Sequence, residues 1–132
     1  MCGIRGETNL ITMHQFKELI VWQKSIELAT EIYQLTKKFP SEERFGLISQ
    51  MRRSVVSIAS NIAEGSGRNG SNEFYHFLGI SSGSVCELET QLTISKELKF
   101  STIEETENCT KKLNTIKNML HKLKSSLKIN SK

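Results

Sequence analysis

The sequence predicts an all-α protein, an up-down-up-down antiparallel four-helix bundle, and three observations carry that prediction. Proline, which breaks helix interiors by removing a donor and crowding the preceding turn, occurs once in 132 residues. Apolar residues recur at steps of three and four in four long stretches, the spacing of one face of a helix. The stretches are separated by short breaks, which favour antiparallel neighbours, and no run of alternating polarity competes as a strand.

The first helix is expected over Phe16–Phe39 and stops before Pro40, because a proline pushes the residue ahead of it out of helical geometry. On a helical wheel, Lys24, Glu27, Glu31, Gln34 and Lys38 share one side. Leu19, Val21, Trp22, Ile26, Leu28, Ala29, Ile32, Tyr33 and Leu35 cover more than half of the circumference. A surface helix needs an apolar stripe of about 100° or somewhat more. The surplus predicts contact with a second copy of the chain; deep placement in the bundle is the plainer explanation.

Ser41 is the expected N-cap of the second helix, with Glu42 and Glu43 at the positive end of its dipole. This helix runs from about Glu42 to Ala63 or Glu64. Phe45, Ile48, Met51, Arg52, Val55, Ala59 and Ile62 mark one side, and Gln50, Arg53, Ser54, Ser57, Asn61 and Glu64 the other. A Schellman-type stop is expected at Gly65. The following GSGRNGSN contains three glycines and no apolar residue, which marks a break.

The third helix opens at Ser71 or Asn72 and runs to about Lys99, with Phe74, Phe77, Leu78, Ser81, Val85, Leu88 and Leu92 as its seam. Gly79 and Gly83 lie one turn apart, roughly opposite that seam. Each costs about 1 kcal/mol relative to alanine, so the pair predicts a second backbone passing close by. Thr102 and Glu105 match a capping box that starts the fourth helix. Its seam is Leu113, Ile116, Leu120, Leu123 and Leu127, and Ile129–Lys132 are expected to fray. Residues 1–12 are read as a flexible N-terminal extension and 13–132 as the bundle domain.

With 37% hydrophobic and 24% charged residues the chain has the composition of a folded globular domain. Cys2, Cys86 and Cys109 form an odd set without a CxxC pair, which argues against a disulfide framework or structural zinc and for a reducing cytosol. No apolar run approaches the roughly 18 residues of a membrane span, and MCGIRGETNLIT lacks the apolar core of a signal peptide. A cytoplasmic protein without a membrane role is therefore expected. The net charge of +4 permits nucleic-acid binding without requiring it.

Residues that could carry chemistry are few. Arg53, Ser57, Asn61 and Glu64 follow one helical face at steps of four, four and three. Serine and asparagine are poor helix formers that bond to nearby backbone, so the row is either a packed polar joint or a recognition surface. The glycine-rich break lacks P-loop spacing and follows a helix, not a strand. His14, His76 and His121 lie in separate segments and form no pair at helical spacing, so no metal or cofactor site is expected. A helical ribonuclease needs an arginine and a histidine at close spacing, whereas Arg68 and His76 straddle the break. Cys86 and Cys109 have no base partner in the sequence, and no catalytic residue is assigned. The fourth helix is the main electrostatic feature: from Lys111 onward there are seven lysines and no acid. Lys117, His121, Lys124 and Lys128 form a stripe beside the leucine seam that could meet phosphates.

Four blocks of the sequence resemble the bacterial four-helix-bundle proteins encoded in intervening sequences of large-subunit ribosomal RNA genes. They are FKELIVWQKSIELATEIY, FPSEERFGLISQMRRSVVSIASNIAEGSGR, EFYHFLGISSGSVCELETQL and the weaker NMLHKLKSSLK, together covering roughly Phe16–Lys128. By position, Arg52, Arg53, Asn61, Glu64 and Gly65 match that family's second-helix motif, and Gly83, Ser84 and Glu87 its third-helix motif. The resemblance implies a four-helix bundle. It further implies similarity to the accessory variability proteins of diversity-generating retroelements, which assemble as barrel-shaped homopentamers and bind nucleic acid and a reverse transcriptase. A non-enzymatic homo-oligomer, pentameric by preference, with RNA or DNA or a protein as partner, is the expectation that results. The alternatives are a structural or protein-docking bundle and, behind it, an RNA-processing enzyme.

Overall fold

The computed structural model describes residues 15–127. The terminal stretches, including residues 1–12, His14 and Lys128, lie outside the described residues. A 3₁₀ turn at Phe16–Glu18 precedes α1 (Ile20–Thr36), a second at Ser41–Glu43 precedes α2 (Leu47–Ser66), and α3 (Ser71–Glu97) and α4 (Ile103–Ser126) follow. No strand occurs among the described residues.

Three of the helix pairings are marked by polar pairs that run in opposite directions along the two helices. Between α2 and α3, Ser81 Oγ donates to the Ile58 carbonyl at 2.9 Å, Ser84 Oγ to Ser57 Oγ at 2.9 Å, and Ser95 Oγ lies 3.4 Å from Met51 Sδ. Between α1 and α4, Lys38 pairs with Glu105 and Lys112 with Glu31. Between α3 and α4, Lys117 meets Glu89 at 3.3 Å and the Lys124 ammonium sits 5.2 Å from the Tyr75 ring centre. These pairings are all antiparallel. The enclosed core joins Leu28 and Ile32 to Met51, Ile58 and Ile62, to Leu78, Leu88 and Leu92, and to Leu113, Ile116 and Leu120, all of them buried.

The predicted helix starts need revision at two places. In the first helix the chain breaks at Leu19, whose ψ of 124° is extended, so a 3₁₀ turn and α1 replace one continuous element. In the second, Ser41 makes no side-chain cap; Glu43 Oε1 accepts from the Leu47 N–H at 3.0 Å and the α-helix begins there. Phe45 precedes that start, falls outside the helical period, and is 88% exposed instead of lying on the core side.

The glycines also change roles. Gly65 does not stop the helix but lies inside α2, where a Cβ would sit 2.7 Å from Phe77 Cβ and 2.9 Å from Phe74 Cδ1. Its bare backbone is what admits α3. At Gly79 and Gly83, where a close backbone was expected, an added Cβ meets nothing within 4 Å among the described residues. The Schellman stop occurs instead at the end of α3. Lys99 adopts φ 64°, the Phe100 N–H bonds the Ser95 carbonyl at 2.9 Å, and the Lys99 N–H bonds that of Lys96 at 3.0 Å. The predicted capping box is present: Glu105 N–H donates to Thr102 Oγ1 and Thr102 N–H to Glu105 Oε1, both at 3.0 Å.

Candidate functional site

The cations of α4 are spread around the helix: Lys112 faces α1, Lys117 and Lys124 face α3, and Lys111 and Lys122 fall between these sides, toward solvent. Lys111, Lys112, Lys117, His121 and Lys122 are exposed and Lys124 is half-buried. Of these lysines, Lys112 and Lys117 have a carboxylate partner; Lys111, Lys122 and Lys124 have none among the described residues. The Glu31 carboxylate's hydrogen bond holds the Lys112 ammonium above its ordinary pKa. Within the predicted stripe, then, Lys117 is shared with Glu89, Lys124 lies over Tyr75, His121 is exposed, and Lys128 is outside the described residues.

The family-motif residues divide into three groups. Arg52 closes the end of α1: its Nε donates to Thr36 Oγ1 at 2.9 Å, a terminal nitrogen donates to the Tyr33 carbonyl at 3.2 Å, and the guanidinium stacks 4.5 Å from the Tyr33 ring centre. Gly65 admits the Phe74 and Phe77 side chains, and Glu64 pairs with Arg68 at 2.6 Å across one turn. Asn61, Ser84 and Glu87 lie along the joint between α2 and α3. Asn61 Nδ2 donates to the Ser57 carbonyl and hydroxyl at 2.9 and 3.0 Å, Ser84 to Ser57, and Ser54 Oγ to Glu87 Oε1 at 3.3 Å. The predicted row of Arg53, Ser57, Asn61 and Glu64 is thus split. Ser57 and Asn61 turn into the joint, Arg53 is exposed at its edge, and Glu64 faces outward to Arg68. Gly83 lies open on the outer side of α3.

That joint widens into an open groove of about 770 Å³. Arg53, Ser54, Glu87 and Gln91 provide polar walls, and Ile80 and Ile94 apolar ones. Arg53 forms no ion pair or side-chain hydrogen bond among the described residues. Gln91 Oε1 is buried without a hydrogen-bond partner. The groove was not legible as such, because Gln50 to Gln91 are brought together only by the packing of two helices. The Ser-rich faces of both segments were its only signal.

A second, smaller cleft of about 270 Å³ lies between α1 and α4, with Glu31, Lys38, Glu105 and Cys109 among its walls. Lys38 and the Thr102 N–H hold the Glu105 carboxyl below its ordinary pKa. Burial, reinforced by the Glu31 carboxylate, pushes the Cys109 thiol up to about 11, which keeps it protonated at neutral pH and a poor nucleophile. Cys86 is exposed. Glu73 and His76 stand three apart at the start of α3, but no group of three metal-ligating side chains forms among the described residues.

Comparison with known proteins points to one family. The family model described as 23S rRNA-intervening sequence protein matches residues 17–122. A crystal structure of a protein of unknown function from the S23 ribosomal protein family of Bacteroides thetaiotaomicron VPI-5482 superposes with a TM-score of 0.76 at 27% identity, covering 81% of this chain and 100% of that one. No curated protein matches. No helix among the described residues is long and apolar enough to cross a membrane.

Proposed function

Because the chain belongs to the 23S rRNA-intervening sequence protein family, we propose that it is a non-enzymatic helical module of the cytoplasm that assembles with copies of itself and binds RNA or DNA through the C-terminal half of α4. The observation that carries nucleic-acid binding is the cation surplus there: no acid follows Lys111 in the sequence, Lys117, His121 and Lys124 recur at steps of four and three along one side of α4, and Lys124 has no carboxylate partner among the described residues. Lysines aligned on one flank release counterions when they meet phosphates, giving affinity without sequence preference.

Assembly is supported by apolar surface left at the α1/α2 face. Ile26 and Tyr33 are exposed on α1, and Val56 is exposed on α2, one turn from Arg52, whose guanidinium stacks on the Tyr33 ring. Much of the predicted apolar surplus of α1 is absorbed within the chain, since Leu19, Trp22 and Ala29 pack against the core. A pentamer is favoured by the resemblance to retroelement accessory proteins. The competing reading, a protein-docking bundle, draws on Lys117 being satisfied by Glu89.

Fluorescence anisotropy with a generic RNA strand, titrated over a range of salt concentrations, separates the two. The triple variant Lys117→Gln, Lys124→Gln, Lys128→Gln should bind more weakly, with a log–log salt slope shallower by about 2, from roughly 0.7 per lost phosphate contact. An unchanged slope removes this flank from the interface and leaves the docking bundle.

A further inference from the structure

The groove between α2 and α3 is unsatisfied in both senses of the hydrogen bond. Arg53 offers donors that nothing among the described residues accepts. Gln91 Oε1 is a buried acceptor without a donor, and Glu87, one turn before it, accepts a single bond from Ser54 Oγ at 3.3 Å. That bond sets Glu87 level with the Arg53–Ser54 turn of α2, so donors and acceptors face the same space. A buried acceptor left without a donor is destabilising, and an occupant with N–H groups would satisfy it.

The chemistry narrows that occupant. A phosphate or carboxylate would meet Arg53 favourably but would be repelled by Glu87 and by the Gln91 oxygen. A guanidinium or ammonium would be repelled by Arg53. What fits both is a flat group with two adjacent acceptors and two adjacent donors. Guanine has this pattern: O6 and N7 suit an arginine, and N1–H and the N2 amino group suit the Glu87 carboxylate and Gln91 Oε1. Ile94, about two-fifths exposed and three residues beyond Gln91, supplies an apolar wall beside the base, and Ile80 lines the far end of the groove.

The glycines of α3 connect this groove to the α4 lysines. At about 100° per residue, Gly79 and Gly83 fall between the groove side (Ile80, Glu87) and the α4 side (Tyr75, Glu89). A Cβ at either would meet nothing within 4 Å, so the surface between is low and open. Of the acids that border this path, Glu89 is already paired with Lys117. The geometry points to the α2/α3 groove as the pocket for a guanine base on a strand whose phosphates lie against α4. This inference rests on the nucleic-acid reading above and adds base selectivity to it.

Labelled oligoribonucleotides UUGUUU and UUAUUU, compared by anisotropy at low salt, provide the test. The guanine strand should bind about tenfold tighter, within the range of one good bidentate base contact, and replacing guanine by inosine, which lacks the N2 amino group, should give an intermediate value. Arg53→Gln and Glu87→Gln, checked for folding by thermal melting, should each bring the ratio toward one. Binding of both strands with equal affinity by the unmodified protein overturns the pocket and leaves the α4 interface standing. Binding of neither overturns both. A fall in solution mass for Arg53→Gln, with no guanine preference in the parent, assigns the groove to a subunit contact instead and likewise overturns the pocket.

Discussion

A methyl group on Gly65 would come within 2.7 Å of Phe77 Cβ and 2.9 Å of Phe74 Cδ1, closer than side chains in folded proteins approach, so this position sets how near α3 can lie to α2. Both neighbours are anchored, Phe74 in the core, and neither can yield without moving a helix. Gly65→Ala should destabilise the fold by about 1–3 kcal/mol, the range for an overpacked site, read as a lowered denaturation midpoint; an unchanged midpoint would mean that the two helices move apart freely. Cys109 gives a second residue-level outcome. Its folded-state pKa of about 11 exceeds the ordinary thiol value of 9.0. The unfolded chain therefore loses this proton first as pH rises, and the contribution to stability is constant below about pH 9 and falls toward pH 11. Cys109→Ala should flatten the alkaline decline measured by chemical denaturation at successive pH values, and a decline identical in the two proteins would place its cause elsewhere.

Among the elements, the ends of the helices were read unevenly. The box that starts α4 was visible because it is local: Thr102 and Glu105 are three residues apart and satisfy each other's backbone donors. The stop of α3 was not, because a lysine occupies the left-handed position where glycine is usual. A side chain there is strained by about 1 kcal/mol. Lys99→Gly should therefore raise stability by up to about 1 kcal/mol, offset in part by the greater freedom of glycine in the unfolded chain. A lowered melting temperature would show that the aliphatic stem of Lys99 stabilises the turn by more than the strain. For α2, the serines of a row that the sequence leaves open as a packed joint or a recognition surface close the joint with α3. Period alone could not separate these cases, since a serine row on a helix reads the same whether it meets water or another helix.

For the whole molecule, the central expectation is assembly. Ile26, Tyr33 and Val56 form an exposed apolar area on the α1/α2 side, and apolar surface of this kind is commonly covered by a partner. Light scattering at micromolar concentration should give a mass several times the 15.0 kDa of one chain. Paired substitutions Ile26→Asp and Val56→Asp should return it toward that value while the melting transition persists. A parent protein already at the mass of one chain would remove self-assembly from the proposed function without touching the lysine test.

The number of helices, their approximate spans, the leucine and isoleucine seams and one capping box were all determined by the sequence by itself, because each is set by contacts three or four residues apart. The tertiary structure alone decided which polar groups lie inside. It turned Ser57 and Ser84 toward each other, placed Phe45 in solvent, gave Arg52 to the end of α1, and left Arg53, Glu87 and Gln91 around one groove. Those outcomes depend on which helix lies beside which and at what register, and such a choice is made by packing between residues distant in the chain.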